Sequence, residues 1–285
     1  MISIIICSIS SELANNVQKN IKETIGVVHE IIVFDNKFHK FSIAKVYNLL
    51  LQQAKFETVC FIHEDLVFKS DNWGVELIET FKDYTIGLIG GWGSVYKSKY
   101  PSTWPICAKS LYRVNPADTN SFHASNSYDS YNSSSEVVVI DGAFMASKKS
   151  ILQTISFDDN LLTGFHCYDL DISLRIHLHF KIVVSHKIHL IHLSKGNTDI
   201  NWLEQTEVFT NKWKNKLPMY VKQSYDELVF SESDYYAASS YLSILLNIPG
   251  QHYKIFKIYI EILLKYFRYN KLKYSKLVIN YLLFS

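Results

Sequence analysis

Apolar residues enter this chain in blocks with two rhythms. Ile2 to Ser8, Glu30 to Phe34 and Thr58 to Phe61 are compact runs rich in β-branched and aromatic side chains, which predicts strands. Between them, Asn15 to Gly26 and Phe41 to Ala54 change to helical spacing, most plainly where Ile43, Val46, Tyr47, Leu50 and Leu51 recur three and four apart. That alternation predicts βαβ units and a parallel sheet. The Ile2 to Ile9 block has no basic leader and runs into Ser10-Ser11-Glu12, so it reads as a buried first strand and not as a signal peptide or bilayer span. No later segment offers the roughly 18 uninterrupted apolar residues a spanning helix needs.

Trp73 to Phe81 reads as a further helix and Ile86 to Ile89 as a strand running into Gly90-Gly91-Trp92-Gly93. From about Trp92 to Glu136 the chain is rich in Ser, Asn and Tyr with little periodicity. That is long for a passive connection and suits a functional loop in which Trp92 and Trp104 can reach a ligand. Strand character returns at Val137 to Ile140 and stops at Asp141-Gly142; Tyr168 to His179 reads as a helix, and Lys181 to Val184 and His189 to Leu193 as short strands. The expected division is one α/β domain over 1–217 and a helical C-terminal segment over 218–285. Between Tyr253 and Phe284 that segment carries seven basic residues against the single acid Glu261. It suits an anionic membrane surface, a subunit contact in a homo-oligomer, or packing on the main domain with its lysines in solvent.

At 285 residues the chain can bury a sizeable core without staples, and a net charge of +2 calls for neither nucleic acid nor a membrane. Cys7, Cys60, Cys107 and Cys167 form no CxxC pair and sit in or near apolar runs, as reduced thiols of a cytoplasmic protein would.

Candidate chemistry concentrates in Phe61-Ile62-His63-Glu64-Asp65-Leu66, where ionisable groups close an apolar run. At the carboxyl edge of an open α/β sheet such groups meet ligands, and here they are placed to hold a divalent cation, with Asp65 as its carboxylate. His177, His179, His186, His189 and His192 do not make a zinc cage, since their spacings diverge on a helix or a strand.

Taken in order, SIIICSIS, EIIVFDN, AKVYNLLLQQAKFETVCFIHEDL, VVVIDGAFM, YDLDISLR and a later HLSKG resemble the family 2 glycosyltransferases, over about Ile2 to Gly196. The resemblance implies the GT-A nucleotide-sugar-binding fold and an inverting, metal-dependent transfer of a sugar, from a UDP-sugar, to a glycan or to a lipid-linked or protein-linked saccharide. It implies Mn²⁺ or Mg²⁺ as cofactor, because charge builds on the departing diphosphate. Asp65 and His192 would be the metal and diphosphate ligands, with His63 standing where the usual Asp-x-Asp motif has its first acid and Lys195 near the phosphates. Ser8, Asp35 and Asn48 fall on the nucleotide side, Tyr47 replacing the arginine of the family's Arg-Asn pair, and Asp141 with Gly142 meets the sugars. Asp169 matches the general base. Tyr168 replaces the family's glutamate, which implies an altered acceptor pocket including Gly164, Phe165 and His166, while Asp171 would cap the helix or bind Arg175. The implied location is the cytoplasm, at the inner membrane face if the tail binds lipid. A binding protein on the same fold that has lost turnover is the alternative.

Overall fold

The computed structural model describes residues 1–113, 133–194, 196–221, 226–270 and 274–284. Lys195, Lys271, Lys273 and much of the Ser/Asn/Tyr-rich stretch lie outside them. The first half runs β1 (Ile2–Ser8), α1 (Ser11–Thr24), β2 (His29–Asp35), α2 (Ile43–Gln53), β3 (Thr58–His63), β4 (Leu66–Phe68), α3 (Trp73–Thr80) and β5 (Ile86–Gly90). Short strands β6 (Gly93–Ser94), β7 (Tyr96–Lys97) and β8 (Tyr112–Arg113) precede β9 (Ser134–Val137), β10 (Val139–Ile140), β11 (Phe144–Lys148) and α4 (Lys149–Thr154). Then come α5 (Tyr168–His177), β12 (Lys181–Ser185), β13 (Leu190–His192), α6 (Ile200–Trp213), β14 (Met219–Tyr220), α7 (Glu227–Leu245), α8 (His252–Asn270) and α9 (Ser275–Phe284).

The main sheet has the order β2-β1-β3-β11-β5-β12-β9. β1 pairs in parallel with β2 and β3, and β12 with β5, whereas β11 inserts antiparallel between β3 and β5. Successive residues of β1 serve opposite faces: Ile4 and Ile6 join the core under α1 and α3, and Ile5 joins the core under α2. A strand covered on both sides is apolar at nearly every position, which is why β1 reads as a hydrophobic run; its buried Ser3 is satisfied by donating to Glu30 at 2.6 Å.

Two expectations change. Val137 to Ile140 is not one strand: the chain leaves the main sheet at Val137 and joins the small β10-β6-β8 sheet from Val139, with Val138 N donating to Ser94 O between them. The four residues are fully buried on both sides of the break, so hydrophobicity carries no trace of it. β11 was not expected, because Ala, Met, Ser and Lys are weak strand formers; pairing on both edges decides its conformation.

The C-terminal segment is joined to the α/β unit. β14 pairs with β7, and Tyr100, Trp202 and Leu203 enter a third core with α7, α8 and α9. Tyr96 and Ser98 donate to Asp234 of α7 at 2.9 and 2.6 Å, and Lys254 of α8 pairs with Glu207 of α6 at 2.7 Å. Among the described residues no helix is long and apolar enough to cross a membrane.

Candidate active site

β3 delivers His63 to the carboxyl edge of the sheet, and the tight turn into β4 places Asp65 just beyond it. The antiparallel β4-β13 ladder sets His192 opposite Leu66, and Leu193 N donates to Asp65 O at 3.1 Å. Residues over a hundred positions apart therefore meet: His192 Nε2 lies 3.2 Å from Asp65 Oδ1, and the His63 and His192 rings are 5.7 Å apart. One ligand atom from each of His63, Asp65 and His192 falls within 4.8 Å of the others.

The protonation states suit a cation. Burial and the neighbouring His192 push His63 down to about 4 against the pull of Asp141 and Asp65, so its imidazole is neutral. Burial works against the Asp65 carboxylate, yet hydrogen bonds from His192 and Ser194 and the two imidazoles hold it well below the usual carboxylate range. Two imidazoles with one carboxylate are a donor set for a divalent transition ion, whose binding would take the place of any proton on His192.

Tyr168 orients this set. It begins α5, is buried, and its hydroxyl donates to Gly142 O at 3.2 Å while lying 2.6 Å from His63 Nε2. With that hydroxyl proton given to Gly142 and Nε2–H of His63 given to the hydroxyl, Nδ1 would keep the lone pair a metal needs. Tyr168 is thus a buried support of His63. Loss of such an outer partner costs about 10–100-fold in metal affinity, so Tyr168→Phe is expected to weaken Mn²⁺ binding by that factor in a calorimetric titration.

Asp169 sits beside it in the first turn of α5. Its Oδ1 accepts from Leu170 N at 2.8 Å and its Oδ2 from Gly142 N at 3.1 Å. Burial and the adjacent Asp141 raise its carboxyl to about 7, with those backbone bonds opposing. Asp141 is steered by Trp104 Nε1 at 2.6 Å and Ala143 N at 2.8 Å. A Cβ on Gly142 would lie 2.3 Å from the Tyr168 hydroxyl and 3.0 Å from Asp169 Cβ, so glycine there admits Tyr168 and Asp169 to the strand end. The site is thus continuous, from Asp65 and His192 through His63, Tyr168 and Gly142 to Asp169 and Asp141. Exposed Phe165 lies at its mouth, its ring 5.9 Å from that of His63.

Other sequence candidates sit elsewhere. Ser8 and Asp35 are register partners at the ends of β1 and β2. Ser8 donates to Glu64, whose carboxylate also accepts from Ile9 N at 3.2 Å and Ser10 N at 3.0 Å, so Glu64 braces the turn into α1. Asp35 is exposed and accepts from Lys37 N at 3.0 Å. Both ends of the Asn48 amide are taken by Phe157, Nδ2 donating to its O at 2.9 Å and Oδ1 accepting from its N at 3.1 Å. The Asn48 amide thus clamps the chain at Phe157, and Tyr47 is fully buried among Phe61, Phe157 and Tyr168. Truncating one partner of two such bonds costs about 1–3 kcal/mol, so the denaturation midpoint of Asn48→Ala is expected to fall accordingly. Asp171 is bonded to Trp213 Nε1 at 2.8 Å and Lys212 Nζ at 2.7 Å, not to Arg175, which donates to Ser156 O.

Sequence reasoning missed the bond from Tyr168 to His63 and the buried Lys97, whose Nζ donates to Ser102 at 2.7 Å. No local pattern marks either: tyrosine in a helix and lysine in a strand are ordinary, and only long-range packing makes them unusual.

The sequence profile of the Glycosyltransferase like family matches residues 3–213. No curated protein matches the chain in sequence. Among solved structures, a crystal structure of GalNAc-T7 with UDP, GalNAc and Mn²⁺ is similar in fold at 12% identity and a TM-score of 0.54, covering 97% of this chain and 58% of that one. This chain thus spans less than two thirds of that protein's length. A mannosyltransferase from Pyrobaculum calidifontis in complex with GDP-Man and Mn²⁺ aligns at 11% identity, a TM-score of 0.44 and 99% and 84% coverage. S. aureus TarS 1-349 in complex with UDP-GlcNAc aligns at 15%, 0.42, and 98% and 79%.

Proposed function

The chain belongs to the Glycosyltransferase like family, with a GT-A fold, and on that premise we propose that it transfers a sugar from a nucleoside diphosphate, with UDP as the nucleotide, to a saccharide hydroxyl with inversion. The observation that carries this reading is a single connected site in which a three-ligand cation cluster and a carboxylate raised to about 7 are joined through Tyr168 and Gly142.

His63, Asp65 and His192 would hold the metal, Mn²⁺ in preference to Mg²⁺ because imidazole nitrogens suit the softer ion. Bound there, it would neutralise the charge gathering on the departing diphosphate. Ser8 and Asp35, at neighbouring strand ends, would face the nucleoside. Asp141, its carboxylate oriented by Trp104 and Ala143 N, would accept from sugar hydroxyls. Asp169 would take the acceptor's proton as its oxygen attacks C1 from the face opposite the leaving group; a base with an elevated pKa is effective for that transfer near neutral pH. The acceptor, lipid-linked or protein-linked, would enter past Phe165.

Incubation with a panel of nucleotide sugars and Mn²⁺, reading free nucleotide and thermal shift together, tests the proposal. Mn²⁺-dependent nucleotide release is expected. Stabilisation by a nucleotide sugar without any release, even with saccharide acceptors added, would favour the binding-protein alternative.

A further inference from the structure

Helix α8 is apolar on two opposite sides. Ile255, Ile258, Ile262 and Tyr266 are buried against the third core, with α7 and α9 on that side. Half a turn round, Tyr253, Phe256, Ile260 and Leu264 follow the three-and-four spacing of a single stripe, half-buried at Ile260 and exposed at the other three positions among the described residues. Tyr253 is 76% exposed, Phe256 53% and Leu264 80%; Phe267, just past a break in the helix at Tyr266, is 55% exposed. Exposed apolar side chains scattered singly are ordinary, whereas an aligned row over about three turns is not.

Charge selects the occupant. Lys257 and Lys265 lie along one flank of the stripe and are exposed; Arg268, past the break at Tyr266, is exposed as well, its guanidinium donating to Ser231 of α7 at 3.2 Å and to the Tyr269 hydroxyl at 2.7 Å. The acid on that flank, Glu261, is bonded to Lys265 at 2.7 Å and to the Tyr100 hydroxyl at 2.7 Å. A second copy docking through the same stripe about a two-fold axis would set these cations against their own equivalents. An anionic bilayer offers apolar depth to the stripe and phosphates to the flank.

We propose that the outer face of α8 is a membrane-docking surface that lies in the headgroup region of an anionic bilayer while its inner face stays packed on the protein. The surface is independent of the sugar-transfer reading. Docking this way needs no spanning segment: the aromatic and leucine side chains enter the acyl boundary, and Lys257 and Arg268 reach lipid phosphates.

Flotation of the full chain with vesicles tests it. At low salt, about tenfold more protein is expected to float with mixed phosphatidylcholine and phosphatidylglycerol vesicles than with phosphatidylcholine alone, the difference shrinking as salt rises. The double variant Phe256→Ser/Leu264→Ser is expected to lose about tenfold of the bound fraction, since each replaced side chain removes apolar area from the acyl boundary. Its melting temperature should not change, because both positions are exposed. Lys257→Glu/Arg268→Glu is expected to abolish the anionic preference, a second measurement that leaves the apolar row intact. Absence of flotation, or flotation that neither double variant alters, would overturn the proposal. So would a concentration-dependent dimer that Phe256→Ser/Leu264→Ser dissociates, which would assign the stripe to a second copy.

Discussion

Asp169→Asn is expected to leave the protein folded and able to bind donor but to lower sugar transfer by about 10²–10⁴-fold, the range a positioned general base contributes. The substitution keeps the shape of the side chain and removes its capacity to take a proton. Burial and Asp141 raise this carboxyl to about 7, so the ionised fraction falls as pH drops below that value. Wild-type transfer should therefore decline about tenfold per pH unit below about 7 and level off above it, a limb missing from the residual activity of Asp169→Asn. Stability moves the opposite way. A carboxyl whose folded pKa lies above its unfolded value favours the folded state most at low pH, and that contribution is lost as pH rises through about 7. In the asparagine variant, which has no charge to bury beside Asp141 but sets its NH2 against Leu170 N or Gly142 N, this fall in melting temperature as pH rises through about 7 should be absent. Full transfer activity in a folded Asp169→Asn protein would remove Asp169 from the mechanism.

Asp65→Asn is expected to lower Mn²⁺ affinity by more than the about 10–100-fold that loss of an outer-sphere partner costs, because a direct carboxylate ligand disappears. The isosteric amide preserves the turn between β3 and β4 and leaves His63 and His192 in place, so an effect belongs to the lost charge and donor atom. Titration of Mn²⁺ followed by electron paramagnetic resonance measures it without any sugar present. The thermal stabilisation that Mn²⁺ confers on wild type should vanish in parallel, since a ligand stabilises only as far as it binds the native state. His192→Ala should behave alike, because the β4-β13 ladder presents His192 at the same point. Mn²⁺ bound as tightly by Asp65→Asn as by wild type would place the cation elsewhere.

Much of the scaffold was legible from residues alone where local preference and global burial agree. The apolar runs at Ile2 to Ser8 and Thr58 to Phe61 and the three-and-four spacing of Ile43, Val46, Tyr47, Leu50 and Leu51 became β1, β3 and α2. They were readable because a strand covered on both faces and a helix covered on one have distinct hydrophobic periods. β11 was not readable, because a short run of weak strand formers becomes a strand only when β3 and β5 pair with it from both sides. The ends of strands could be read as a place for chemistry, but Asn48 and Tyr168 show the limit. A matched motif position identifies which residue stands there and not what its side chain meets: Asn48 meets the backbone of Phe157, and Tyr168 meets His63.

What the amino-acid order determined by itself is the alternating α/β core and the presence of His63 and Asp65 at the end of its third strand, since both follow from interactions among near neighbours in the chain. The tertiary structure showed how His192, expected beside them only from the family resemblance, comes within 3.2 Å of Asp65, and it alone decided that the Tyr168 hydroxyl lies against His63 Nε2 and that Tyr253, Phe256 and Leu264 of α8 stay exposed among the described residues. These depend on strand pairing and packing between segments far apart in sequence, where a residue's role is set by its partner and not by its own period or propensity.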